Sequence, residues 1–116
     1  LTLFFQREAV AGGVLSGIGV VKNAVLGYFD LRRREYLRRQ FSDEMELVSL
    51  SGNLTWLDGE PFIHAHVVIS GPDHTTFGGH LFAAEVAVTG EFFIWPTGYR
   101  VERALDEKTG LKLIVG

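Results

Sequence analysis

Apolar and polar positions along this chain repeat with two different periods. The opening LTLFFQREAV spaces Leu1, Phe4, Phe5 and Val10 partly as a helix does, and the AGG after it is a suitable stop, so the end of a helix that begins upstream is predicted here. From Gly13 to Phe29 the residues turn to Val, Ile, Leu and Gly. Small residues fall too close together there for a stable helix, which predicts one long strand or two short ones. DLRRR then reads as a turn into REYLRRQF. In MELVSLSGNLTW, Leu47, Ser49 and Ser51 share one parity and Val48 and Leu50 the other, the period of a half-buried strand.

Asp58-Gly59 in LDGEP is hairpin-turn chemistry, followed by PFIHAHVVIS as a strand, GPDHTT as a loop and FGGHLF as the next strand. AEVAVTGEFFIW continues as another apolar extended run. The tail holds a Glu-Lys-Thr-Gly turn and a last short strand, with room for a helical turn before it. A helix end followed by many strands on short connections predicts a largely antiparallel sheet.

At 116 residues, 47% hydrophobic and 22% charged, the chain fits one globular domain over residues 1–116. The most apolar stretch, Ala9 to Phe29, is interrupted by glycines, Ser16, Lys22 and Asn23, so no membrane span is expected. Cysteine is absent, which removes a disulfide framework, and no basic segment followed by an apolar one opens the chain; both make the cytoplasm the expected compartment. Leu1 in place of Met implies residues preceding those given. A net charge of −3 argues against a surface wholly devoted to nucleic acid, though not against a local patch.

The candidate chemistry lies in the histidines. His64 and His66 stand two apart on a strand, so they leave the same face, while Ile63, Ala65, Val67 and Ile69 take the other and mark it as core. A hairpin centred on Asp73 pairs His66 directly with His80 and makes His64 the diagonal neighbour, within about 7–8 Å. Three imidazoles then converge, and three neutral imidazoles suit a divalent transition metal, zinc foremost, with a position left for water. The two glycines before His80 fit a backbone that passes close to another chain or a ligand. His74, at the loop tip, is expected to be solvated.

Other features carry less. Arg32, Arg33, Arg34, Arg38 and Arg39 form a candidate phosphate-binding patch, but Asp30, Glu35, Asp43, Glu44 and Glu46 among and beside them favour a solvated, salt-bridged hairpin. Gly17-Ile18-Gly19 lacks the third glycine of a dinucleotide loop, no P-loop lysine follows, and Ser16 is in no nucleophile elbow. Asn53-Leu54-Thr55 is formally a glycosylation sequon. Glu91, the one carboxylate in VAVTGEFFI, is a candidate general acid or base near the histidines, or a partner for Arg100 or Arg103.

ELVSLSGNL, PFIHAHVVIS, FGGHL, VTGEFFI and the closing R..D...GLKLI, taken in order, resemble the plant- and prokaryote-conserved (PPC) domain from about Val14 to the C-terminus. The resemblance implies an α+β fold, a mostly antiparallel sheet flanked by helices, in a fold group similar to acetolactate decarboxylase, and assembly as a homotrimer. It implies DNA binding for some members. This chain has no Arg-Gly-Arg-Pro hook, however, and the plant Gly-Arg-Phe-Glu-Ile-Leu segment is replaced by Asp43-Glu44-Met45-Glu46-Leu47-Val48. The prokaryotic branch resembles this chain at His64, His66 and His80, and acetolactate decarboxylase likewise holds zinc on an HxH pair and a third histidine. The resulting expectation is a trimeric protein with a three-histidine metal site. The alternatives are a DNA-binding or regulatory module and a metal-dependent lyase or hydrolase.

Overall fold

A computed structural model describes residues 1–116. One helix, α1 (Thr2–Glu8), is followed by seven strands: β1 (Gly13–Asp30), β2 (Glu35–Phe41), β3 (Met45–Leu57), β4 (Glu60–Ser70), β5 (Thr76–Pro96), β6 (Glu102–Leu105) and β7 (Lys112–Ile114). The helix ends where Ala9 turns left-handed at φ 51, two residues before the AGG expected to stop it. Gly13–Asp30 forms one strand, not two, and no helical turn precedes the last strand. The expected flanking helices reduce to this single short one. Its Phe5, 1% exposed, is driven into the core, and its Gln6 bonds Glu60 at the start of β4.

The strands run in the order β2-β1-β5-β4-β3-β6-β7, antiparallel except for β3 beside β6. A further pairing of β1 with β3 returns the series β1-β5-β4-β3 to its start, so these four long strands enclose the core. β2 and the β6–β7 hairpin extend beyond them, and β2 and β7 are the terminal strands of the sheet. Leu15, Leu50, Leu54, Ala65, Val67 and Ile69 point inward from β1, β3 and β4. Burying each larger aliphatic side chain is worth about 1.5–3 kcal/mol.

Local chemistry accounts for the turns. Asp58 and Gly59, at φ 50 and φ 81, supply the two left-handed residues that a tight β3–β4 hairpin requires. Asp30 Oδ1 accepts from the backbone N–H groups of Arg32 and Arg33 and so shapes the β1–β2 turn. The alternation in β3 does not run unbroken. A bulge between Leu47 and Ser49 shifts the register against β4, and so Leu47 and Leu50, of opposite parity, are both buried. No helix of the chain is long and apolar enough to cross a membrane.

Candidate metal centre

Alternation along β4 buries Ala65, Val67 and Ile69 and turns His64 and His66 to the opposite face. β5 pairs with β4 in the register of a hairpin centred on Asp73, with His66 opposite His80, Val67 opposite Gly79 and Ser70 opposite Thr76. The turn is held by Asp73, whose carboxylate accepts from Thr75 N at 3.0 Å and Thr75 Oγ1 at 2.8 Å. These bonds hold the Asp73 carboxyl below the usual carboxylate range. On the other edge of β5, His80 pairs with Gly27 of β1. A side chain at Gly79 would put its Cβ 2.7 Å from the Gly27 carbonyl oxygen, so the glycine beside His80 answers the close approach of another strand.

The three rings meet. One nitrogen from each of His64, His66 and His80 lies within 4.8 Å of the other two. The Nε2 atoms of His64 and His66 are 3.2 Å apart. Two nitrogens bound tetrahedrally to one ion at about 2.0–2.1 Å lie about 3.3 Å from each other, so this pair already has the spacing of a shared metal. His80 Nδ1 is buried and has no hydrogen-bond partner, a costly state for a ring nitrogen unless something outside the chain satisfies it. The residues fit a transition metal: three imidazoles, with no carboxylate in the cluster. His74, left-handed at φ 64 in the loop, is outside it.

The surroundings of His64 and His80 favour the neutral ring that ligation requires. Burial, followed by the charges of His64, His66 and Arg38, pushes His80 down to about 4. His64 is lowered as well, by burial first and then by Arg103 and His66. Tyr36 from β2 and Phe82 from β5 pack on His80 with ring centroids 5.0 and 4.7 Å away, and Arg38 stacks over Phe82 at 3.7 Å.

Arg103 is the neighbour whose role the chain pattern did not reveal. Parallel pairing of β6 with β3 sets Arg103 beside Leu57, and its guanidinium turns inward to reach Asn53, Thr55 and His64 Nδ1, the last at 3.4 Å. It is the arginine of R..D...GLKLI. That motif marked the position, but 39 residues separate it from His64 and no local period links them. A cavity of about 410 Å³ opens here between His64, His80, Arg103 and the residues around β7. A larger cavity of about 550 Å³ is lined almost entirely by hydrophobic core residues and holds no titratable side chain.

The remaining candidates lie elsewhere. Glu91 is exposed on the far half of β5 opposite Ile18, roughly 35 Å of extended chain from His80, and forms no ion pair with Arg100 or Arg103. Arg33 faces Asp30 and Glu35 at 3.8 and 3.9 Å, Arg39 stacks on Phe41 and Phe77, and Arg34 donates to the Glu107 carbonyl, leaving Arg32 the least engaged of the five. The sequon is closed: Thr55 is 2% exposed and Asn53 Oδ1 accepts from Arg103. Gly12 to Gly19 runs into strand β1 and forms no phosphate loop.

Solved structures share this architecture. A metal-containing protein from Archaeoglobus fulgidus superposes with a TM-score of 0.90 at 39% identity, covering 99% of this chain and 81% of its own. A plant- and prokaryote-conserved protein from Pyrococcus horikoshii gives 0.91 at 37%, covering 99% and 80%. A Bacteroides thetaiotaomicron protein described as a candidate DNA-binding protein gives 0.94 at 24%, covering 98% and 80%, a likeness of fold alone. Among curated proteins, none matches significantly. The family model of the Plants and Prokaryotes Conserved (PCC) domain matches residues 1–97, beginning before Val14 and ending ahead of the Arg103 hairpin. With that model covering most of the chain and two relatives above one-third identity, the chain belongs to the PCC family, also written PPC.

Proposed function

We propose that this chain is a cytoplasmic, homotrimeric metal-binding protein that holds a divalent transition metal, zinc foremost, on His64, His66 and His80. The observation that carries the reading is the convergence of three ring nitrogens within 4.8 Å. The metal-containing Archaeoglobus relative supports it, and so, by analogy, does the similarity to acetolactate decarboxylase that the sequence resemblance implies. Trimer formation is supported by the outer halves of β1 and β5, where Val14, Ile18, Val86, Val88, Phe93 and Trp95 are each more than half exposed. A second copy of the chain would cover them.

A zinc ion on these ligands would supply a Lewis acid that polarises a bound oxygen. The chain contributes the rest. Tyr36 and Phe82 fix the His80 ring, burial keeps His64 and His80 deprotonated, and Arg103 sets a positive charge beside the cluster. In the enzymatic form of this reading, a metal-dependent lyase or hydrolase, the distance from His80 to Glu91 along β5 keeps Glu91 from moving protons at the cluster of its own chain. Elemental analysis of purified chain and of His66→Ala tests the reading: about one metal per chain is expected, falling to trace in the variant.

The second reading, a DNA-binding or regulatory module, draws on structural neighbours described as candidate DNA-binding proteins. Arg32, Arg33, Arg34, Arg38 and Arg39 would meet phosphate. Its signature is an affinity that falls linearly with the logarithm of salt concentration. No binding at low salt removes it.

A further inference from the structure

Arg103 is 7% exposed and forms no ion pair. Its hydrogen bonds all go to neutral acceptors: Thr55 Oγ1 at 2.7 Å, the Lys112 carbonyl at 2.8 Å, Asn53 Oδ1 at 2.9 Å and His64 Nδ1 at 3.4 Å. A buried cation with no counter-charge is an expensive feature to keep, and burial accordingly lowers the guanidinium's pKa. Four of its five N–H groups are engaged, and the contact with His64 is the longest and weakest of them.

The guanidinium lines the 410 Å³ cavity together with His64 and His80, and Lys112 stands at the same cavity. The remaining wall is apolar, with Phe62, Leu81, Phe82 and Leu113. Two cationic side chains, both within 6 Å of the Phe62 ring, and an otherwise apolar lining without a carboxylate select for an anion with a hydrocarbon body. The size is that of a small molecule, near the low end of ligand cavities. Resting on the three-histidine metal reading, the geometry points to a binding site for a small organic carboxylate, its carboxyl group on Arg103 beside the metal and its apolar part against Phe62 and Phe82.

The arrangement also couples the two ligands. Arg103 sets its positive charge and an N–H against Nδ1 of His64, the ring whose Nε2 faces His66. A carboxylate that takes over the Arg103 N–H relieves that contact with His64. It also neutralises a charge that opposes a cation. Metal and carboxylate should therefore tighten each other's binding by the same factor.

Calorimetry on the whole chain, zinc-loaded and chelator-stripped, tests this with 3-methylbutanoate, its neutral amide and inorganic phosphate. The carboxylate should bind at least tenfold tighter than either the amide or phosphate, and tighter to the zinc-loaded chain than to the stripped one. Arg103→Gln should lose at least tenfold in carboxylate affinity, with Arg103→Lys recovering part of it. Because Arg103→Gln also removes bonds to Thr55 and Asn53, the acid-over-amide preference of the unaltered chain provides an arm that depends on no variant. An unaltered chain that binds acid and amide alike, phosphate as tightly as the acid, or a folded Arg103→Gln with full affinity would overturn the carboxylate site. Failure to take up zinc would overturn the metal reading and the coupling, while Arg103-dependent carboxylate binding in the stripped chain would still support the anion site.

Discussion

His66 and His80 are direct register partners across the β4–β5 pair, and the five-residue connection Gly71–Thr75 sets that match. With His64 diagonal to them, removing any one ring leaves two ligands. His64→Ala, His66→Ala or His80→Ala should each reduce zinc affinity by more than the roughly 10–100-fold typical of changes around a metal's ligands, as read by competition with a chromophoric chelator. His74→Ala, which leaves the cluster whole, should match the unaltered chain.

Gly79→Ala tests whether backbone packing places His80. An added Cβ 2.7 Å from the Gly27 carbonyl forces β5 away from β1, at a cost of about 1–3 kcal/mol in unfolding free energy and with weaker zinc binding. Gly98→Ala meets nothing within 4 Å and should stay within about 0.5 kcal/mol. Urea titration of both variants is sufficient.

Acid should unfold the metal-free chain through the same histidines. His80, at about 4 in the folded chain because of burial and neighbouring positive charge, returns to 6.5 on unfolding, so between these values the unfolded chain binds more protons. Its contribution to stability is complete above about pH 6.5 and is lost as pH falls through 4, with His64 acting in the same direction. Urea midpoints of stripped protein should fall steadily over that interval, and less steeply in His80→Gln. A flat profile in the unaltered chain would contradict the assignment.

The hairpin was legible because its ingredients are local. Asp73 marks the centre of a short loop, period two assigns the faces, and both devices lie within the stretch from Ile63 to Leu81. Long-range features were not legible in the same way. The bulge after Leu47, the return of β3 to β1 and the parallel docking of β6 depend on partners far along the chain, and alternation alone cannot name them. Arg103 was missed as a neighbour of the histidines for that reason, and one short helix stands where the family resemblance implied several.

Thr55 joins the core to the candidate site. Its hydroxyl donates to the Phe62 carbonyl at 3.1 Å and accepts from Arg103 Nε at 2.7 Å. Thr55→Val keeps the shape and strands the arginine N–H, so a loss of about 1–3 kcal/mol is expected, measurable as a lowered Tm. Thr109→Val, by contrast, should act locally, because its hydroxyl bonds only Asp106 and Leu111 within the β6–β7 turn.

Assembly is checked by light scattering. A trimer should give three times the 12.9 kDa chain mass, and Val88→Asp or Phe93→Asp, on the exposed apolar half of β5, should shift the mass toward that of one chain. Unchanged mass in both variants would place the interface elsewhere.

β2 is a terminal strand, and its Glu35, Arg38 and Arg39 flank an open row of backbone donors and acceptors. Such a border invites another strand to dock and a stack of sheets to grow, and charged side chains along it discourage that approach. Apolar replacements of Arg38 and Arg39 would remove that obstacle to fibre growth and should be felt first as turbidity in concentrated solution.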